Sequence, residues 1–152
     1  MSKRLSLGDF NTVKDITLIW GDMDAFQHIN NIKHFRYFET SRIHYMEEIG
    51  LFDLMSQTGV GPILAETSCK YITPLVYPDT ISVGSRTTAI KDSEFHQEYL
   101  IMSQKYGMNA AIGYAKIVAF DYQQQQRTQL PREIIDRILQ IDKEAEQNYS
   151  LS

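Results

Sequence analysis

A short polar segment near the start of the chain carries the side chains whose types and spacing best suit chemistry. Asp22, Asp24 and His28 are followed closely by Asn30 and Asn31. A carboxylate can attack a carbonyl carbon or take a proton from water, and backbone N–H groups at a helix start can bind the resulting oxyanion. The segment therefore fits acyl transfer to water. A structural interpretation is also open, because Asp and Asn are common in turns and caps and His28 can be a hydrogen-bonded structural residue.

A strand and a helix must hold this segment in place. Residues 12–20 are rich in β-forming side chains and predict the strand. Apolar side chains from Ile32 to Ile49 recur at helical spacing and predict a helix of about 19 residues. Asn30 or Asn31 can cap its start, and Gly50 is placed to end it. Apolar positions lie on more than one face, so we expect this helix to be largely enclosed.

The remaining sequence predicts mainly strands. A helical turn at 51–57, strands at 63–72, 80–90, 95–106 and 110–122, a hairpin turn at 107–109 and a solvated link at 123–126 follow in that order. Pro131 can start a short C-terminal helix at about 131–146. One long helix followed by a run of strands indicates an α+β fold with a five-stranded antiparallel sheet.

Composition limits the classes of protein that this chain can belong to. It has 152 residues and a formal charge of −4, which favours one domain over residues 1–152 and argues against a nucleic-acid partner. Cys69 is the only cysteine, so neither an intrachain disulfide nor a cysteine zinc site can form, and we expect no metal. With no signal peptide or membrane span expected, we predict a soluble cytoplasmic protein.

Two stretches of sequence resemble a known family. WGDMDAFQHINNIKHFRYFETSR, residues 20–42, and GPILAETSCKYITPLVYPD, residues 61–79, are similar to hotdog-fold acyl-CoA thioesterases of the 4-hydroxybenzoyl-CoA thioesterase type. The likeness covers residues 12–131 or so. It implies a hotdog fold, an acyl-CoA substrate with coenzyme A as part of it, no separate cofactor, and a homodimer or homotetramer whose sites lie between subunits.

The resemblance also implies roles for individual residues. Asp24 would be the catalytic carboxylate, as nucleophile or as general base, and the backbone N–H of Asn31 would contact the oxyanion. His28 would orient Asp24 or line the pocket. The segment 27–33 also resembles plant acyl-carrier-protein thioesterases, but Phe26 stands where those enzymes have an Asn.

We also expect four residues to contact the substrate, namely Phe26, Asn30, Ile63 and Leu64. Three alternatives to an acyl-CoA thioesterase remain open. They are a non-catalytic acyl-binding hotdog module, an acyl-carrier-protein thioesterase, and a hydroxyacyl-thioester dehydratase. The dehydratase would need His28 and a carboxylate to act together.

Overall fold

The computed structural model describes residues 4–148 and confirms the predicted α+β architecture. The helices and strands are β1 (Thr12–Thr17), α1 (Lys33–Glu48), α2 (Leu51–Thr58), β2 (Val60–Tyr71), β3 (Thr80–Lys91), β4 (Glu94–Ser103), β5 (Met108–Asp121), β6 (Gln126–Arg127) and α3 (Arg132–Ile141). Short 3-10 turns lie at Leu7–Asp9, Trp20–Asp22 and Lys143–Asn148. The predicted domain ends, residues 1–3 and 149–152, lie outside the described residues.

The sheet is antiparallel and curls around the long helix. Its strand order is β1-β3-β4-β5-β2, and the two-residue β6 pairs with β5. The predicted link at 123–126 thus comprises most of a β-hairpin turn, residues 122–125, and the first residue of β6. Polar glutamines give no strand signal, which is why the sequence missed β6. Among residues 4–148, no helix is both long and apolar enough to cross a membrane.

Helix α1 packs one face against the sheet. Tyr37, Phe38, Tyr45 and Met46 are buried in the core, whereas Phe35 and Ile43 stay exposed on other faces. The helix is therefore less enclosed in the single chain than expected, because the sheet covers only one side of it. Gly50, which follows the C-cap residue Ile49, adopts φ of 72° and confirms its predicted role in ending α1.

A close approach between α1 and β5 fixes the helix at the centre of the sheet. The Phe38 ring stacks on Tyr99, with ring centroids 5.2 Å apart. Gly113 of β5 lies directly beneath, and a Cβ at Gly113 would come within 2.5 Å of the Phe38 ring. A glycine is needed here because any side chain would push α1 away.

We expect Gly113→Ala to lower the free energy of unfolding by about 1–3 kcal/mol, as overpacked cores do. Urea unfolding measures this change. Gly8→Ala is the matched control, because a Cβ at Gly8 would meet only Ser6 Oγ, at 3.8 Å. Equal unfolding midpoints for the two variants would contradict the packing argument.

A buried carboxylate ends α3 and joins the C-terminal segment to the sheet. Asp142 Oδ2 accepts hydrogen bonds from Tyr45 Oη at 2.6 Å and from the Thr87 backbone N–H at 2.9 Å. This inward turn splits the predicted C-terminal helix 131–146 into α3 and the 3-10 turn Lys143–Asn148. Burial raises the pKa of Asp142, although the hydrogen bonds from Tyr45 and Thr87 oppose that shift.

The raised pKa of Asp142 has a definite consequence for stability against pH. The folded state binds the Asp142 proton more tightly than the unfolded chain does. The stability gained from this proton is therefore complete below the ordinary pKa of 3.8 and is lost as the pH rises through the higher pKa of the folded state. We therefore expect the stability of wild type, relative to that of Asp142→Asn, to rise as the pH falls from about 7 to about 4. Unfolding midpoints of both proteins across this range measure the difference. A pH-independent difference would overturn this assignment.

Candidate active site

The segment between β1 and α1 is a closed loop tied to the body of the protein. Met23 and Ile29 pair as an isolated antiparallel bridge, and Asp24 N donates to His28 O at 2.8 Å. Gln27 takes φ of 64° at the tip of the loop. The Ile29 N–H donates to Leu75 O at 2.8 Å, which fastens the loop to the segment after β2. Backbone hydrogen bonds thus fix the ends of residues 24–28 and tie them to the body of the protein.

Asp24 stands at the junction of two surface cavities. Its Oδ1 accepts the Phe26 backbone N–H at 2.9 Å, which orients the carboxylate within the loop. One cavity, of about 380 Å³, is lined by Asp24, Phe26, His28, Ile29, Asn31, His34, Tyr71, Ile72, Thr73 and Pro74. The other, of about 400 Å³, is lined by Asp24, Trp20, Gly21, Met23, Gln27, Val76 and Tyr77. Asp24 therefore borders both spaces.

The Asn31 backbone N–H is a hydrogen-bond donor without a partner among residues 4–148. The preceding carbonyl, Asn30 O, accepts Lys33 N at 2.9 Å and so points toward the helix. In a trans peptide the N–H points opposite to that carbonyl, so the Asn31 N–H points away from α1. Asn31, the residue with this free donor, and Asp24 both line the 380 Å³ cavity.

The neighbouring polar residues order this loop. Asp22 accepts a hydrogen bond from Tyr37 Oη at 3.1 Å and pairs with Lys33 Nζ at 3.6 Å. Burial and the Asp22 charge raise the pKa of Tyr37, so the phenol keeps its proton and remains a donor. Asn30 Oδ1 accepts the Ile32 N–H at 3.2 Å, so Asn30 supports the turn into α1, which begins at Lys33.

The structure brings some of the predicted site residues together and separates others. Phe26, 82% exposed, and His28, also exposed, line the Asp24 cavity with Asn31. The His28 side chain makes no hydrogen bond to Asp24 within residues 4–148, so of its two expected roles the geometry favours lining the pocket. Ile63 and Leu64 lie on β2 and are not among the residues that line this cavity.

Sequence reasoning missed six residues of this cavity, and two of them, His34 and Tyr71, carry polar rings. His34 is only 2% exposed, and its Nδ1 has no hydrogen-bond partner in the described part of the chain. Burial lowers the pKa of His34, although the backbone at Asn30 and Asn31 opposes this shift. The Tyr71 ring meets His34 edge-on at 4.9 Å, and Tyr71 Oη donates to Asn31 O at 2.7 Å. The position of His34 one helical turn after Asn31 is the signal that could have identified it.

Known proteins share this fold and sequence pattern. The thioesterase-like superfamily matches residues 18–138. The long-chain acyl-CoA thioesterase FadM of Escherichia coli is 21% identical over 121 residues, which are 80% of this chain and 92% of FadM. The uncharacterized protein YsmA of Bacillus subtilis is 25% identical over 91 residues, and the match spans 60% of each chain.

A solved structure agrees with these sequence matches. The Thermus thermophilus thioesterase complexed with coenzyme A and zinc has a TM-score of 0.77 and 25% identity, covering 88% of this chain and 96% of that one. This chain belongs to the thioesterase-like superfamily. The family confirms the resemblance carried by residues 20–42 and 61–79, and with it the hotdog fold and the class of thioester hydrolases.

Proposed function

We propose that this protein hydrolyses an acyl-CoA thioester to a free acid and coenzyme A. The observation that carries the proposal is that Asp24 and Asn31, whose backbone N–H has no partner among residues 4–148, line the same cavity. FadM, a relative over most of this chain, is a long-chain acyl-CoA thioesterase. Measuring both products after incubation with an acyl-CoA tests the reaction directly. Free acid and free coenzyme A in equal amounts would support the proposal.

The geometry supports one arrangement of the thioester. Its carbonyl oxygen accepts the Asn31 N–H, and the positive end of the α1 dipole favours the oxyanion that develops on that oxygen. Asp24 then acts in one of two ways. Its carboxylate attacks the carbonyl carbon and expels the thiolate, leaving a mixed anhydride that water cleaves. Alternatively it takes a proton from water, whose oxygen attacks while the thiolate leaves and is protonated.

A single turnover in water labelled with heavy oxygen tests for the nucleophilic route. Label found in the Asp24 carboxylate supports nucleophilic attack, whereas label found only in the product acid excludes an anhydride that water opens at the Asp24 carbonyl. Mass analysis of the Asp24 peptide and of the acid gives both readings from one sample.

The dehydratase alternative is less well supported by the positions of the side chains. Removal of water from a hydroxyacyl thioester would need His28 and a carboxylate to act on adjacent carbons. The His28 ring is exposed and makes no hydrogen bond to Asp24 among the described residues. An enoyl thioester product in place of a free acid would nevertheless favour this alternative.

We also propose that the working unit is a homodimer or a homotetramer. The sheet order ends at β2, whose residues 64–68 are exposed, so its outer edge is available to a second copy. Ile32, Phe35 and Leu64 expose apolar surface beside that edge. A second copy paired at this edge would place Ile63 and Leu64 at the subunit interface, where they could contact substrate in a shared site. Light scattering should give at least twice the monomer mass, and a fully active monomer would contradict the proposal. We propose separately that the protein is cytoplasmic.

A further inference from the structure

A second cavity beside Asp24 has walls that are mainly apolar and aromatic. This cavity, here called the Trp20 cavity, measures about 400 Å³ and is lined by Trp20, Gly21, Met23, Asp24, Gln27, Val76 and Tyr77. Trp20 is 71% exposed, and Val76 and Tyr77 are 38% and 40% exposed. Single exposed apolar side chains are common on protein surfaces, but several gathered around one cavity are typical of a binding site.

Backbone hydrogen bonds hold the two walls of the Trp20 cavity together. One wall is the loop after β1, and the other is the segment before β3. The Leu18 N–H donates to Asp79 O at 2.9 Å, and the Ile29 N–H donates to Leu75 O at 2.8 Å. These two bonds join the walls at both ends, so the cavity is present without a ligand, as ligand sites usually are.

The Trp20 cavity is separate from the surface proposed for a second copy of the chain. That surface consists of the outer edge of β2 and the nearby side chains of Ile32, Phe35 and Leu64. The described residues that line the Trp20 cavity all lie before α1 or after β2 in the chain. Strand β1, which leads into this loop, is at the opposite edge of the sheet from β2. A copy paired along β2 therefore does not explain the exposed aromatic side chains.

Asp24 joins the Trp20 cavity to the space in which the thioester carbonyl is proposed to bind. It lines both cavities, and Asn31, whose N–H is assigned to the oxyanion, lines the 380 Å³ cavity. The carbonyl group of a thioester connects two arms, the acyl group and the pantetheine thiol. With the carbonyl carbon beside Asp24, one arm can extend into the Trp20 cavity while the other lies in the 380 Å³ cavity.

The linings of the two cavities differ in the arm that they suit. The pantetheine arm contains amides and ends in a phosphate, so it needs hydrogen-bonding partners. The 380 Å³ cavity has polar side chains of this kind, among them His28, Tyr71 and Thr73. Asp24 carries the one charge among the described residues that line the Trp20 cavity, and a carboxylate repels a phosphate. An apolar acyl group needs only apolar walls, which the Trp20 cavity provides.

We propose that the Trp20 cavity binds an apolar acyl group of the substrate, and that Trp20 determines which acyl groups fit. This inference rests on the proposed thioesterase function and specifies the substrate class of the same site. An aliphatic chain and an aromatic ring share the required chemistry. Trp20 is a substrate-binding residue in either case.

Trp20 is the only tryptophan of the chain, so its fluorescence reports on this cavity directly. Asp24→Asn protein is used because it can bind an acyl-CoA without turning it over. An acyl-CoA with an apolar acyl group should shift the Trp20 emission to shorter wavelengths, because the ligand displaces water from the indole ring. Coenzyme A alone should leave the emission unchanged. Either an equal shift with coenzyme A alone or no shift with any acyl-CoA would overturn the proposal.

The Trp20→Ala variant tests the selection of acyl groups. Trp20 is mostly exposed, so this variant should fold like wild type, which an unfolding curve checks. In wild type, each CH2 group added to the acyl chain should raise kcat/KM by up to about 4-fold until the cavity is filled. In Trp20→Ala this gain should fall to about 2-fold or less, as expected if half of the contact area is lost. The matched control is Tyr106→Ala, which removes an exposed ring that lines neither cavity and should keep the wild-type gain.

Two substrate series distinguish an aromatic from an aliphatic acyl group. If the occupant is aromatic, wild type prefers benzoyl-CoA to cyclohexanecarbonyl-CoA, which is similar in size, and Trp20→Ala loses this preference. If the occupant is aliphatic, the gain per CH2 group extends along a series of linear acyl-CoAs, and Trp20→Ala reduces it. If Trp20→Ala lowers kcat/KM by the same factor for acetyl-CoA and for every larger substrate, the cavity does not select the acyl group and the proposal is wrong.

The same measurements separate this inference from its premises. If wild type shows the emission shift but releases no thiol, the Trp20 cavity binds acyl groups and the proposed hydrolysis fails. If wild type releases coenzyme A and Trp20→Ala keeps the wild-type order of substrates, the proposed function stands and this inference fails. Light scattering of Trp20→Ala tests for another occupant. Conversion of an oligomer into a monomer would show that a second copy of the chain fills the cavity, and would overturn the proposal.

Discussion

Asp24→Asn is expected to fold like wild type and to lose about 10²–10⁴-fold in kcat, the range typical of removing a positioned acid or base. The amide oxygen of Asn can still accept the Phe26 N–H that now binds Asp24 Oδ1 at 2.9 Å, so the loop keeps its shape. The amide can neither attack a carbonyl carbon nor take a proton from water. Steady-state release of coenzyme A, measured with a thiol reagent, gives kcat, and an unfolding curve of the same protein shows whether the variant folds like wild type.

Asp22→Asn is the matched control in the same loop. Asp22 accepts from Tyr37 Oη at 3.1 Å, and an Asn oxygen can keep that bond while the ion pair with Lys33 is lost. We expect this variant to lose some stability and to retain far more activity than Asp24→Asn. Asp24→Asn protein that folds normally and turns over at the wild-type rate would rule out Asp24 as the catalytic carboxylate.

Asn31→Pro should be the second most damaging change, because proline removes the backbone N–H assigned to the oxyanion. Loss of one such donor typically costs about 10²–10³-fold in kcat. Proline is tolerated just before and in the first turn of a helix, and the Asn31 N–H has no partner within residues 4–148, so the fold should survive. The measurements are kcat and the urea unfolding midpoint.

Asn31→Ala separates the backbone donor from the side chain. It keeps the N–H and removes only the exposed amide, so its kcat should stay close to that of wild type. If Asn31→Ala and Asn31→Pro lose equal activity, the side chain and not the backbone donor carries the effect. If Asn31→Pro retains full activity in a folded protein, the oxyanion assignment is wrong.

The elements that could be predicted from the sequence are those specified by local signals. The apolar spacing from Ile32 to Ile49 and the glycine after it locate α1 within a residue or two of its observed bounds. Element ends set by tertiary contacts could not be predicted in this way. The sequence extends the first strand to Trp20, but β1 ends at Thr17 and Trp20 starts a 3-10 turn, where its side chain is 71% exposed.

The residues of the candidate site also differ in whether they are close in sequence or joined only by tertiary contacts. Asp24, Phe26, His28 and Asn31 lie within eight residues of one another and line one cavity, as their spacing suggested. Tyr71 reaches this cavity because the end of β2 meets the start of α1, a contact between residues 40 positions apart. No local pattern encodes such a contact.

The most direct test of the central claim is thiol release by wild-type protein from a panel of acyl-CoAs that vary in chain length, aromaticity and terminal charge. The account predicts coenzyme A release from at least one member, with an equal amount of free acid and a rate that falls in Asp24→Asn protein. The best substrate would also identify the acyl class. Tight binding of acyl-CoA across the panel without any thiol release would contradict the account and make the protein an acyl-binding module.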